Sequence, residues 1–95
     1  KTAIYSLTKA MALEFTPLGI RVNAIGPGPI DTPLLRGGRP EHDVEAALEA
    51  NRQRVPMKRL GRPEEVAALV DFLLSERASY IAGQIIHPNG GAMSW

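Results

Sequence analysis

The sequence predicts an α/β fold with a parallel β-sheet, and three observations support this prediction. Helical apolar periodicity alternates along the chain with two short β-branched segments, 20–25 and 84–87. A predicted helix precedes each segment, as expected where helices connect parallel strands. Segment 20–25 is also mostly apolar, as a buried parallel strand should be. We therefore expect ligands to bind at the edge where these strands end.

The first predicted helix covers residues 1 to about 15 and precedes strand 20–25. It carries a stripe at i, i+3, i+4 spacing, formed by Ile4, Leu7, Met11 and Phe15. The helix should end at Thr16, because a residue before proline disfavours the helical conformation and Gly19 then permits a turn. After the strand, a loop rich in glycine and proline extends over 26–40.

Two more helices are predicted before the last strand. Helix 42–53 has a thin apolar stripe, so we expect a mobile flap over about 34–60 that folds over a substrate. Helix 63–75 begins at Pro63, which suits the first helical position. Its predicted buried stripe consists of Val66, Leu69, Val70 and Leu73. Strand 84–87 follows, and 88–91 form a turn.

Length and composition exclude several classes of protein. A complete doubly wound dinucleotide fold does not fit in 95 residues, and no Gly-x-Gly-x-x-Gly loop occurs. The first residue is not methionine, so we expect further sequence upstream. A net charge of +1 gives no reason to invoke nucleic acid or an anionic membrane. The absence of cysteine fits a cytoplasmic protein.

Tyr5 and Lys9 fit a Tyr-x-x-x-Lys pattern, but geometry favours Lys1 as the residue at the ligand edge. The first helix runs back along the sheet, so its start lies at the edge where strand 20–25 ends. At about 1.5 Å per residue, Lys9 lies ~12 Å farther from that edge than Lys1. We interpret Tyr5 and Lys9 as an i, i+4 pair on a helix surface or subunit contact.

Several motifs resemble the short-chain dehydrogenase/reductase family in order and spacing over essentially all 95 residues. They are Lys1 to Ile4, Leu7-Thr8-Lys9-Ala10, Leu13-Glu14, Gly19-Ile20-Arg21-Val22-Asn23, Pro27-Gly28, Thr32, Gly61-Arg62-Pro63-Glu64-Glu65-Val66-Ala67, and Gly83-Gln84 to Gly90-Gly91. The resemblance implies that 1–95 are the carboxy-terminal part of a single Rossmann-like domain with a doubly wound parallel sheet. It also implies a dimer or tetramer.

The resemblance further implies hydride transfer between NAD or NADP and a secondary alcohol or ketone, as in a 3-oxoacyl reductase. The family's catalytic lysine precedes the asparagine of the Arg-Val-Asn strand by twenty-two residues, the separation of Lys1 from Asn23. Lys1 is then both catalytic and ribose-binding, and the catalytic tyrosine lies four residues upstream of it. The 95-residue segment alone should be inactive.

Loop 26–33 is the predicted cofactor loop, with binding residues Pro27, Gly28, Pro29, Ile30 and Thr32. Gly28 allows close approach of the backbone, and the flanking prolines restrict the loop. By resemblance, the Ile30 backbone and the Thr32 hydroxyl contact the nicotinamide carboxamide, and Lys1 shares their cleft. The alternative is a plain turn in which Thr32 caps the residues that follow.

The remaining candidates are predicted to be structural. Asp31 has no visible partner and reads as a solvated loop carboxylate, while His42 and His87 lack metal-ligand spacing. No metal site is predicted. A set of basic residues between Arg36 and Arg62 could attract an acidic substrate but fits solvated surface better. Alternative functions are a noncatalytic family relative and a structural or oligomerisation module.

Overall fold

Residues 2–93 are described by a computed structural model of the chain, in which helices alternate with two short strands. The elements are α1 (Thr2–Phe15), β1 (Ala24–Ile25), α2 (Pro33–Arg36), α3 (Glu41–Gln53), α4 (Pro63–Leu74) and β2 (Ile85–Ile86). Short 3₁₀ turns follow α1 and α4, at Thr16–Leu18 and Glu76–Ala78. The three long helices agree with the predicted ones, whereas α2 lies where a loop was predicted.

The two strands pair in parallel, as predicted, with Ala24 opposite Ile85. Hydrogen bonds of the same kind continue beyond the strand ends. The Gly28 N–H, three residues after β1, donates to the Pro88 carbonyl at 3.2 Å. The loop that follows β1 is therefore attached to the segment that follows β2, at the carboxyl edge of the sheet.

Strand 20–25 was predicted too long, because only Ala24–Ile25 has a backbone partner strand. In the residues just before β1, side chains rather than paired backbone groups form the hydrogen bonds to the neighbouring segment. The Asn23 amide oxygen accepts from the Gln84 N–H at 3.0 Å, and its NH₂ group donates to the Ile81 carbonyl at 3.1 Å. Arg21 also donates to Ile81, at 3.2 Å. These bonds join the approach to β1 to the connection before β2.

The apolar stripe of α1 is only partly covered, with Met11 and Phe15 half-buried. Ile4 and Leu7 are 54% and 55% exposed, whereas Thr8 and Ala12 are buried. The Thr8–Ala12 face packs closely because Gly83 opposes it, and a Cβ on Gly83 would lie 3.2 Å from the Ala12 Cβ. The beginning of the apolar face of α1, at Ile4 and Leu7, is thus left exposed by the described residues, although its composition favours burial.

The buried side chains lie mainly in the second half of the chain. Leu48 of α3 is 1% exposed, and Val55, just after that helix, is equally well buried. In α4, Leu73 is buried, but Val70 from the predicted stripe is 38% exposed. The apolar positions of α4 are therefore only partly covered within residues 2–93.

The start of α4 is fixed by an ion pair and a backbone hydrogen bond. Both Glu65 oxygens accept from Arg59, at 2.7 and 2.9 Å, and one also accepts from the Arg62 N–H at 3.0 Å. The Arg59 guanidinium, and then the Arg62 N–H, lower the pKa of the Glu65 carboxyl from 4.5 to about 2. Glu65 therefore stays ionised in the folded protein well below the pH at which it protonates when unfolded.

We expect Glu65→Gln to reduce the acid sensitivity of folding. The lowered pKa stabilises the fold above about pH 4.5, and this contribution is lost as the pH falls from 4.5 towards about 2. The urea midpoint of the unmodified protein should thus drop more steeply over this window than that of the variant. Glu64→Gln, one residue earlier in the same helical turn, is the control and should retain the steep drop. Parallel curves for Glu65→Gln and the unmodified protein would contradict the prediction.

Candidate functional site

The first turns of α1 lie at the same edge as the loop after β1. The Tyr5 hydroxyl and the His87 Nε2 atom, just beyond β2, are 2.7 Å apart. Farther along α1, the Lys9 Nζ atom lies beside Gly83, which precedes β2. The helix therefore runs antiparallel to the two strands, and its beginning faces their carboxyl ends.

This direction agrees with the geometric argument about the two lysines. Lys9 lies near the amino end of β2, on the side away from loop 26–33. Lys1 lies outside the described residues, and α1 begins at the next residue, Thr2. The catalytic and ribose-binding roles of Lys1 stay predictions. Tyr5 lies on the helix surface, 37% exposed, and its hydroxyl contacts His87.

Gly28 provides a close approach, but to the protein's own backbone. A Cβ added to Gly28 would lie 2.9 Å from the Asn89 Cα and 2.8 Å from its Cβ. The close approach of the Gly28 backbone to a cofactor stays a prediction. Of the two flanking prolines, Pro29 is buried and Pro27 is exposed. Gly28 thus fixes the position of the loop, and Pro29 anchors it.

The N–H and C=O of Ile30 are directed away from the neighbouring Gly61. Gly61 donates to the Pro29 carbonyl at 3.0 Å and accepts from the Asp31 N–H at 2.9 Å, so Ile30 forms a parallel bridge with it. In this pattern, the N–H and C=O of Ile30 point to the opposite side from Gly61. Among residues 2–93, neither group has a hydrogen-bond partner. One donor and one acceptor are therefore available together on the outer side of the loop.

Thr32 lies two residues farther on and caps α2. Its hydroxyl oxygen accepts from the Leu35 N–H at 3.3 Å, as in the capping alternative. Pro33 occupies the first position of the helix, so the Thr-Pro pair was a readable signal for α2. A hydroxyl that accepts one hydrogen bond still has its own proton to donate. Capping and ligand binding by Thr32 are therefore compatible.

Ile30 and Thr32 are among the residues that line an open cleft of about 320 Å³. It is lined by Gly28, Pro29, Ile30, Thr32, Leu34, Leu35 and Arg39. A nicotinamide carboxamide presents one carbonyl acceptor and one amide donor. The N–H of Ile30 and the Thr32 hydroxyl can donate to the carboxamide oxygen, and the C=O of Ile30 can accept from its NH₂ group. These residues therefore fit a nicotinamide carboxamide.

Asp31 has a partner that the sequence did not reveal. Both of its carboxylate oxygens accept from Arg36, at 2.9 and 3.1 Å. This ion pair keeps the pKa of the Asp31 carboxyl below its usual value. Asp31 is therefore an ionised anchor for α2 rather than a general base, which corrects the prediction of a carboxylate without a visible partner.

Most of the basic residues that might attract an anion are already paired. Arg52 contacts Glu45 and Glu49, and Arg59 contacts Glu65. Their charge is thus neutralised locally, as expected for solvated surface. Among residues 2–93, no group of three His, Asp or Glu side chains could hold a metal ion. No helix in the same range is long and apolar enough to cross a membrane.

Comparison with known proteins decides the family. Residues 1–93 match the family described as enoyl-(acyl carrier protein) reductase. The structure of a short chain dehydrogenase family protein from Francisella tularensis subsp. tularensis SCHU S4 has a TM-score of 0.89 and 33% identity, covering 100% of this chain and 42% of that one. The chain belongs to the short-chain dehydrogenase/reductase family. The predicted Rossmann-like α/β fold class is thereby confirmed.

Other short-chain dehydrogenase/reductases match over nearly the whole chain. Glucose and ribitol dehydrogenase of Daucus carota is 43% identical over 93 residues, which are 98% of this chain and 31% of that protein. L-sorbose reductase from Gluconobacter frateurii, solved with NADPH and L-sorbose, has a TM-score of 0.87 and 33% identity, covering 99% of this chain and 38% of that one. The chain spans about a third of the length of the relatives it matches.

Proposed function

We propose that the chain is the carboxy-terminal part of an NAD- or NADP-dependent oxidoreductase that interconverts a secondary alcohol and a ketone. The observation that carries this proposal is the free N–H and C=O of Ile30 beside the Thr32 hydroxyl. They lie at the carboxyl edge of a parallel strand pair, where dinucleotides bind in open α/β sheets. Family membership and the oxidoreductase names of the relatives support the same class of reaction.

Under this proposal, the residues of this chain bind the cofactor and orient its nicotinamide ring. The Ile30 backbone and the Thr32 hydroxyl hold the carboxamide, which fixes the rotation of the nicotinamide ring. When bound, the nicotinamide supplies or accepts the hydride. Lys1 binds the ribose hydroxyls and places its ammonium near the upstream tyrosine. That charge favours the phenolate, so the tyrosine can exchange a proton with the substrate oxygen although its ordinary pKa is ~10.

We also propose a cytoplasmic homo-oligomer, either a dimer or a tetramer. The apolar face of α1, with Ile4 and Leu7 exposed, supports an assembly in which more protein covers this helix. The same exposure supports the alternative that the chain serves only as a structural or oligomerisation module. The two functions differ in cofactor binding, since a structural module needs no nicotinamide.

A substrate panel tests the proposed function. The full-length protein should oxidise NADH or NADPH in the presence of L-sorbose or a 3-oxoacyl thioester, or reduce NAD or NADP with D-glucose or ribitol. NADH and NADPH binding is measured in parallel by fluorescence. The 95-residue chain alone should show no turnover, because the phosphate-binding half and the tyrosine are not in its sequence. A full-length protein that binds neither NADH nor NADPH would favour the structural module.

A further inference from the structure

A hydrogen-bonded chain crosses from α1 to the start of the cofactor loop. His87 Nδ1 lies 3.2 Å from the Gly26 carbonyl oxygen, and its Nε2 lies 2.7 Å from the Tyr5 hydroxyl. A carbonyl only accepts, so Nδ1 must carry a proton. In the neutral imidazole Nε2 is then an acceptor, and the Tyr5 hydroxyl donates to it. One imidazole ring thus joins a helix to a loop.

The ring is also held by direct packing. A Cβ on Gly26 would lie 2.6 Å from His87 Nδ1 and 2.8 Å from Cε1, so the imidazole rests against a position that only glycine leaves open. The Tyr5 and His87 rings lie 5.9 Å apart, tilted by 59°. The Gly26 N–H is bound as well, to the Ile86 carbonyl at 2.9 Å. Gly26 is therefore fixed through its N–H, its carbonyl and its open Cα face.

The series of hydrogen bonds from Tyr5 through His87 to Gly26 connects the two parts of the proposed site. Tyr5 is four residues from Lys1, and Gly26 is the first residue of the loop that leads to Ile30 and Thr32. We propose that Tyr5 and His87 are positioning residues, which set the distance between the lysine end of α1 and the cofactor loop. This inference rests on the proposed function.

Positioning should appear in turnover more than in binding. A shift of α1 relative to the loop leaves every cofactor contact able to form, but it misaligns the groups that act on the reacting atoms. Small misplacements of this kind lower the rate of the chemical step. Loss of one hydrogen bond should therefore lower kcat about three- to tenfold while the KM for the cofactor changes by less than about twofold.

Tyr5→Phe is the first variant, because it removes one oxygen and keeps the ring. Tyr80→Phe is the matched control, because this substitution makes the same chemical change at a residue that is fully exposed. Both are measured in the full-length protein with its preferred cofactor and the panel substrate that it converts fastest. Tyr5→Phe should show the loss in kcat, and Tyr80→Phe should behave as the unmodified protein.

Two variants of His87 each remove one of the two hydrogen bonds that its ring makes. In His87→Asn the side-chain amide can replace Nδ1 and keep the bond to Gly26, but it is too short to reach Tyr5. In His87→Gln the longer amide can keep the Tyr5 bond and loses the one to Gly26. Each variant breaks the connection at one bond, so Tyr5→Phe should have little further effect on kcat in either background, because coupled residues are not additive.

A readout without cofactor completes the test. In the unliganded protein, NMR of the His87 ring should show a protonated Nδ1 and a hydrogen-bonded Nε2, and Tyr5→Phe should change only the Nε2 signal. An active protein in which Tyr5→Phe matches Tyr80→Phe in kcat would overturn this inference alone. So would additive effects in both His87 backgrounds, or an Nε2 signal that Tyr5→Phe leaves unchanged. A full-length protein without NAD(P)H-dependent turnover on the panel would overturn the proposed function and this inference with it.

Discussion

Replacing Lys1 with methionine in the full-length protein should lower kcat by ~100-fold or more. The change removes the ammonium that favours the phenolate of the upstream tyrosine, and with it the donor to the ribose hydroxyls. The KM for the cofactor should rise as well, because ribose contacts contribute to binding before and during the reaction. Steady-state rates over a range of NADH or NADPH concentrations measure both effects.

The matched control is Lys9→Met, which makes the same substitution two turns along α1. Lys9 lies beside Gly83, before β2, so its charge faces the opposite edge from the cofactor loop. We expect nearly unchanged kcat and KM for this variant. A large loss in Lys9→Met together with an active Lys1→Met would reverse the roles of the two lysines and contradict the proposed site.

The second large effect is on stability, at Gly90 in the turn after β2. Gly90 has a φ of +63°, and a Cβ there would lie 2.5 Å from Cγ1 of the buried Val55. Alanine thus combines a left-handed backbone with overpacking against a stiff β-branched side chain. We expect Gly90→Ala to lower the free energy of unfolding by about 2–5 kcal/mol, measured by urea denaturation of the full-length protein.

Gly38→Ala separates the two causes of this effect. Gly38 has a similar φ of +73°, but nothing lies within 4 Å of the position that its Cβ would take. This variant has only the backbone cost, about 1–2 kcal/mol. Equal losses in the two variants would show that the Val55 contact is relieved easily, which would contradict the tight packing of the turn against Val55, just after α3.

The helices and the parallel pairing could be predicted because their signals are local. Pro63 followed by Glu64 marks the start of α4, and Gly19 marks the turn after α1. The burial of Thr8 and Ala12 on α1 could not be predicted, because residues 2–93 leave Ile4 and Leu7 of the apolar stripe exposed. Periodicity identifies an apolar face, but it does not identify what covers that face.

The sequence predicted the position of the loop that carries the candidate residues, but it did not predict the hydrogen bonds and ion pairs around that loop. The edge of the sheet and the positions of Ile30 and Thr32 follow from topology together with family spacing. The Asp31–Arg36 ion pair was missed, although the two residues are close in sequence. The Tyr5–His87 contact joins residues 82 positions apart, and no local pattern encodes it.

We propose that Lys1 and Thr32 bind the same nicotinamide nucleoside in one cleft. A crystal structure of the full-length protein with NADH or NADPH tests this most directly. Lys1 Nζ should lie within hydrogen-bonding distance of the ribose hydroxyls, and Ile30 and Thr32 within that distance of the carboxamide. A cofactor bound elsewhere, or a Lys1 side chain directed away from the ribose, would contradict it.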